Sequence, residues 1–583
     1  MKEEEEEDDD DKEQNSGNNN KLDLQTVEVA AHENEAKSLI DEMESQLQAQ
    51  GGLETSFFHL NFNQPRHFTW LLVAFASMGG LLSGLDQSLI SGANLYLPRD
   101  LGLSERENSL VNSGMPLGAV GGALLLSPSN EYFGRKGAIL ISIGMIVAAR
   151  VILGLGVGLE GGTVPVYVAE TVERSIRGNL VSLYQFNIAL GEVLGYAVAA
   201  MFLKLPGNWR YILGSSLLFS TIMFIGMLFL PESPRYLMHK GRKLDSYKVW
   251  RRTRGISSSE SRLEYLLMTA TVREEEATAG QEAKNRRFPW MDFFTYVFSL
   301  LSLSLVAVFV CFGGAEHLYI SVARARRALV YANIMVLLGQ LTGINAIMYY
   351  MSVLMNQMGF DAERANYMSL VGGGSLLVGT IPAIFLMERF GRRFWAITML
   401  PGFFFGLVLI GISYQIPMET HATAVEACYL TGLVIYMAFF GSYACLTWGE
   451  KYRVGKLVIP SEVYPTYLRS YGMTTSDALI FSASFAVTYN FRAMQDAMTR
   501  TGLALGFYGG IALVGQMYQI VFMPETKNKT LEEIETVLSR PTKDVVGENL
   551  AGVKENLRHL ANGRFRKVLL PPAERALNGF DGS

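Results

Sequence analysis

Two kinds of residue inside the apolar parts of this 583-residue chain could do chemistry. The first is a carboxylate. Asp86 lies near the end of a long apolar run, where an acid is costly enough to count as functional once a partner can be named. Arg150 is that partner. Protonating Asp86 would release Arg150, and coupling that switch to occupancy of a nearby site would give symport. A purely structural ion pair or a snorkelled carboxylate would use the same two residues. The second kind is the neutral amide. Gln185, Gln340 and Asn345 fall within apolar runs, and an amide donates and accepts hydrogen bonds without demanding a counter-ion, which suits an uncharged polyhydroxylated guest. Gln340 and Asn345 are expected on neighbouring faces of one helix. Buried amides also hold membrane helices together, so helix-to-helix glue is their other use.

The elements that must position these residues are membrane spans. Hydrophobic residues make up 49% of the chain and charged ones 18%, and most of the charge sits in the two tails and one central stretch. Twelve apolar runs are long enough to cross a bilayer; they include Ala138 to Val164, Phe293 to Gly314 and Ala328 to Leu354. Residues 1–66 are acidic and poor in large apolar side chains, so a solvated, disordered cytosolic tail is expected. Residues 67–230 read as an N-terminal helical bundle, 231–327 as a central loop, 328–523 as a C-terminal bundle and 524–583 as a second cytosolic tail, with a capped short helix at Thr530-Leu-Glu-Glu533. The arginines of the central loop place it in the cytosol by the positive-inside rule. The net charge of −5 comes largely from Glu3 to Asp11 and points to no nucleic-acid partner. Membrane lipid is the expected surrounding. The three cysteines form no disulfide framework.

Two stretches echo each other. Glu131-Tyr-Phe-Gly-Arg-Lys136 returns as Glu388-Arg-Phe-Gly-Arg-Arg393, and Tyr167-Val-Ala-Glu170 with Arg177 returns as Pro460-Ser-Glu462 with Arg469. Such duplication in a polytopic membrane protein is the ground plan of a secondary transporter, with its site between the repeats. Glu170, Arg177, Glu462 and Arg469 fall at cytosolic span ends beside Arg135 and Arg392, where ion pairs could close an inner gate; the same charges would also fix topology alone.

These segments carry a resemblance. Gly84-Leu-Asp86, Gly134-Arg-Lys136, Arg150 with Gly154, Gly156 and Gly158, Pro165-Val-Tyr-Val-Ala-Glu170, Pro231-Glu-Ser-Pro-Arg235, Gln340-Leu-Thr-Gly-Ile-Asn345, Gly391-Arg-Arg393, Pro460-Ser-Glu462 and Pro524-Glu-Thr526 together resemble the sugar porter family of the major facilitator superfamily, across roughly residues 68 to 535. The resemblance implies an all-α membrane protein of two six-helix bundles with inverted repeats. It assigns Gln185, Gln340 and Asn345 to the sugar site with Tyr349 and Trp448 as aromatic neighbours, and Asp86 with Arg150 to proton coupling. Glu192 stands where many members have a sugar-binding glutamine, so it either accepts from substrate or titrates. Leu376 replaces an expected polar residue.

The expected function is therefore a plasma-membrane transporter of a monosaccharide or polyol, coupled to protons, with no cofactor and no metal. A non-transporting sugar receptor, a facilitator and an organic-acid carrier share the fold as alternatives. A soluble enzyme is excluded by the span count, and the Gly-rich run at 154–162 lacks the strand-turn-helix context of a nucleotide loop.

The repeat also shows anomalies. Gly134 to Glu170 spans 36 residues, against 71 from Gly391 to Glu462, so the third span looks truncated. Residues 296–321 form an extra apolar insertion, and 449–457 place charges within the tenth span. Translated non-coding sequence and a lost exon would account for all three, which sequencing the transcript would test.

Overall fold

The computed structural model describes residues 40–49, 65–132, 150–171, 174–254, 261–262, 264–270, 272, 323–390, 392–448, 469–524 and 540–562. The two suspected insertions, the stretch 133–149 and the expected short helix at Thr530 lie outside them. Among the described residues there are helices and no strands, and seven helices are long and apolar enough to cross a membrane. The chain divides into a larger unit, Thr69–Glu232 with Phe288–Ser583, and a smaller one, Met1–Phe68 with Ser233–Arg287.

The larger unit is built from α1 (Pro65–Ala93), α2 (Glu105–Tyr132), α3 (Arg150–Thr171), α4 (Arg174–Phe202) and α5 (Ser216–Phe229) in the first half. The second half holds α6 (Ala323–Leu341), α7 (Ile344–Tyr349), α8 (Met351–Gln357), α9 (Ala362–Phe390), α10 (Arg392–Ser413), α11 (Met418–Trp448), α12 (Arg469–Met498) and α13 (Gly509–Phe522), followed by α14 (Thr542–Ala561). A capping box starts α2: Ser104 donates through its backbone N–H and hydroxyl to Glu107 at 2.8 and 2.7 Å, and Glu107 N–H donates back to Ser104 Oγ at 3.4 Å.

Two expected spans differ from the sequence reading. The run Ala138 to Val164 contributes a described helix only from Arg150 onward, and that helix extends to Thr171. The run Ala328 to Leu354 is three helices in series: Gly343, at φ 91°, interrupts the ladder between α6 and α7, and Tyr350, at φ −110° and ψ 12°, separates α7 from α8. Tyr436 offsets the break at Gly343 by donating its hydroxyl to the Thr342 carbonyl at 3.0 Å.

Small residues set how the helices meet. In α3, Gly154 lies against Met115 and Gly118 of α2, and Gly158 against Ala119 and Ala123, so the two helices run parallel in close contact. Likewise Gly372 of α9 meets Leu433 of α11, and farther along both helices Gly379 meets Ala438, a second parallel pair. The contacts of Gly84 with Ile188 and of Gly195 with Ser88 align α1 with α4 in the same sense. A parallel pair needs a full crossing between its members; α10 provides it between α9 and α11.

The smaller unit corrects the expectation of a wholly solvated N-terminal tail. Residues 40–49 form a helix whose Ile40 and Met43 pack with Met238, Tyr247, Trp250, Tyr265 and Val272, and Leu47 on the same stripe is buried as well. Tyr247 donates to Glu44 Oε1 at 3.1 Å, and Arg254 pairs with Glu264 at 2.7 Å. Burying three such side chains stabilises the contact by about 1.5–3 kcal/mol each. Their helical spacing within a polar surrounding is what composition alone conceals.

Candidate functional site

One cavity in the larger unit is walled by both halves. Ser83 and Gln87 of α1, Val157 and Gly161 of α3, and Tyr184, Gln185 and Glu192 of α4 face it from the first half. From the second come Gln340 of α6, Asn345 and Tyr349 of α7, Leu376 of α9, Phe440 of α11 and Ser484 of α12. The α1 to α4 contact at Gly84 brings α1 close beside Glu192, and a Cβ there would strike the Ile188 carbonyl. The break at Gly343 does the corresponding work opposite. It puts Gln340 and Asn345 on separate helices rather than on neighbouring faces of one, and Asn345 Nδ2 donates to Gln340 Oε1 across the gap.

The two amides thus hold each other while both remain on the cavity wall, which leaves the Gln340 NH2 and the Asn345 carbonyl for a guest. Tyr349 donates its hydroxyl to Met115 Sδ at 3.1 Å, joining the halves. Two further bonds cross between halves at the end of the bundle where α1 finishes. Tyr196 donates to the Met348 carbonyl at 3.0 Å, and Ser352 N–H donates to Ser91 Oγ at 3.0 Å. Ser352 Oγ also donates to Asn366 Oδ1 at 2.9 Å and lies 3.1 Å from Ser369 Oγ. That end is closed by direct polar contact.

The structure thus gathers Gln185, Glu192, Gln340, Asn345 and Tyr349 on one cavity, and Leu376 is there as an apolar patch. Asp86 is buried in α1 between Leu85 and Gln87, and Ser83 and Gln87 on either side of it reach the cavity. Arg150 begins α3, and Trp448 ends α11; the side chains of both lie outside the described residues, and Phe440 is the α11 aromatic on the wall. Glu170 is half-buried near the end of α3. Arg135 and Glu462 lie outside the described residues, as do the side chains of Arg177, Arg392 and Arg469. Beside Arg392, Arg393 donates to the Ile520 carbonyl at 2.8 Å.

Two buried acids escaped the sequence reading. Glu160 of α3 is 1% exposed and Asp477 of α12 is 3% exposed. Both lie in membrane-length helices, so the rule that singles out Asp86 would have found them too. Among the described residues no group of His, Cys, Asp and Glu is arranged to hold a metal ion.

Residues 72–538 match the family model described as "Sugar (and other) transporter". The chain belongs to this sugar transporter family. Its relatives include a Gibberella moniliformis protein described as "Myo-inositol transporter FST1", 69% identical over 570 residues that cover 95% of this chain and 93% of that one. The human "Proton myo-inositol cotransporter" is 25% identical, over 81% of this chain and 82% of its own length. The fold matches that of a solved structure titled as the major facilitator superfamily proton:xylose symporter XylE bound to 6-bromo-6-deoxy-D-glucose. The TM-score is 0.62 at 21% identity, covering 82% of this chain and all of that one. As a family member the protein is an integral membrane protein and not an enzyme.

Proposed function

We propose that this protein carries a neutral cyclic polyol, foremost myo-inositol, together with protons across the plasma membrane by alternating access. The observation that carries the reading is the cavity itself. Both halves contribute uncharged hydrogen-bonding groups to it, Gln185 from one and Gln340 with Asn345 from the other, and among the described residues no Lys or Arg lines it. A ring with hydroxyls on every side is held by groups that donate and accept in several directions, while Tyr349 and Phe440 offer apolar faces for its C–H edges. The 69% identical myo-inositol transporter supports the substrate.

Asp86 and Arg150 form the proton switch in this reading: protonated Asp86 lets go of Arg150, and substrate occupancy decides when that is allowed. Glu192, on the cavity wall, accepts from a substrate hydroxyl. The contacts of Ser91, Tyr196, Met348 and Ser352 are the closed gate on one side. Glu170, Arg177, Glu462 and Arg469, with Arg135 and Arg392, form the gate on the cytosolic side, where both termini lie. Trp448 completes the aromatic wall when substrate is enclosed.

The test is uptake of labelled myo-inositol in a transporter-null host, with and without a proton uncoupler and with unlabelled hexoses, pentoses and polyols as competitors. Accumulation above the external level, its collapse with the uncoupler and strongest competition by myo-inositol are expected. Unchanged uptake under the uncoupler would reject symport, and competition by glucose alone would reject the polyol.

A further inference from the structure

Glu160 projects from the middle of α3 and has no part in the site described above. Neither carboxyl oxygen meets a hydrogen-bond partner among the described residues, and the side chain is 1% exposed. The space a Cβ would take at Gly79 of α1 is filled by this carboxyl, so it points into the seam between α3 and α1. Val157 and Gly161, its neighbours on the surface of α3, line the cavity. Glu160 therefore stands just behind the cavity wall.

The groups around it are acids and a phenol. Asp86 lies on the same helix as Gly79, two turns farther on and about 10 Å along the axis, within electrostatic reach of Glu160. Tyr184 of α4, a cavity residue, is also within reach, and Asp477 of α12 acts on Tyr184 from the other half. On α2, which packs along α3, no ionisable side chain occurs between Asn108 and Asn130. The other ionisable residues of α4 near this depth are Glu192 and Tyr196. An ionised carboxylate here carries the cost of burial with no partner to offset it, and a proton is the smallest companion that can do so.

We propose that Glu160 is a second proton-carrying carboxyl of the transport cycle, taking up the proton that Asp86 releases and holding it beside the cavity until the site opens to the cytosol. In the transfer one O–H bond breaks on Asp86 and one forms on Glu160, relayed by cavity water. Asp86 becomes the carboxylate as Glu160 becomes the neutral acid, so the pair keeps one negative charge throughout. The separation is useful. A proton parked on Glu160 leaves Asp86 free to close on Arg150 while substrate is still bound, which divides one costly rearrangement into two smaller ones.

The proposal rests on the symport reading, and its test separates the two. Full-length protein in liposomes is assayed for labelled myo-inositol accumulation under an inward proton gradient and for counterflow at equal pH, as wild type and as Glu160→Gln. Gradient-driven accumulation is expected to fall about tenfold or more with a flattened pH profile, while counterflow stays within about threefold. Wild-type protein that ignores the gradient overturns symport. Wild-type protein that responds, beside a Glu160→Gln variant with the same accumulation and pH profile, overturns the role of Glu160 alone. Should that variant fail to fold, wild-type protein is treated with dicyclohexylcarbodiimide, which modifies protonated carboxyls in apolar surroundings. An adduct on Glu160 that diminishes at alkaline pH is expected. Its absence while Asp86 is modified overturns the proposal.

Discussion

The pair α2 with α3 and the pair α9 with α11 are packed alike. In each, two helices run parallel with a glycine of one pressed on the backbone of the other: Gly158 on the Ala119 carbonyl, Gly379 on the Ala438 carbonyl. They differ in what joins them. Between α9 and α11 stands α10, 22 residues long, whereas the connection from α2 to α3 lies outside the described residues. The sequence copies are correspondingly unequal, 36 residues against 71 between matching motifs. The paired-helix frame is therefore set by complementary small-residue faces and not by the length of chain between them. A second difference is chemical. Among the described residues the first half holds the buried acids Asp86, Glu160 and Glu192 with the cavity amides Gln87 and Gln185, and the second holds the cavity amides Gln340 and Asn345 with the single buried acid Asp477. One frame has been filled twice, with acids concentrated in the first half and paired cavity amides in the second.

Filling the glycine seams should have the largest effect. A Cβ at Gly158 or Gly379 would stand 2.1 Å from a carbonyl oxygen of the partner helix. Gly158→Leu and Gly379→Leu are both expected to lose folded protein in detergent, each costing about 3 kcal/mol or more. Gly374→Ala, which meets nothing within 4 Å, should retain wild-type thermal stability. If Gly158→Leu were harmless, the first pair would not share the frame of the second.

The division of chemistry is sharpened by Asp86→Asn and Asn345→Ala. The first is expected to abolish uphill accumulation in the uptake assay. The second should keep coupling but weaken substrate affinity by about ten- to a hundredfold, because the Gln340 carbonyl loses its donor and the guest loses a partner. Equal effects of both on KM would erase the distinction between the halves. Ser91→Ala removes the hydroxyl that accepts from the Ser352 N–H, a bond that joins the halves at the closed end. Each such bond is worth about 1 kcal/mol, so the equilibrium should move about fivefold toward opening there, measurable as faster alkylation of a cysteine placed at Gln87.

The smallest effect concerns the smaller unit. Burial pushes the Tyr265 phenol up to about 12 and raises that of Tyr247, which also lies beside Glu44. The folded state thus disfavours phenolate. Its contribution is complete below about pH 10 and is lost as pH rises through about 12. Trp250 fluorescence should report loosening in that window, and Tyr265→Phe should shift it upward.

Much of this molecule was legible in its residues. Membrane spans follow from apolar length, the family from ordered motifs, and Gln185, Glu192, Gln340, Asn345 and Tyr349 from resemblance; all five meet on one cavity. The docked helix at 40–49 was not legible, because three buried side chains disappear in an acidic average. Glu160 was not legible as a site because one carboxylate inside a long Gly- and Val-rich run leaves its apolar character intact.

Environment and available chemistry were set by residue type, since a side chain's cost in lipid and its capacity to donate or accept are properties of the residue. Which groups share a space was set by the packing of the helices. Asn345 meets Gln340 because Gly343 breaks the helix between them, and Glu160 comes within reach of Asp86 because α3 packs on α1 where Gly79 leaves a gap. Such meetings depend on how helices distant in the chain approach one another, and local spacing carries no record of that.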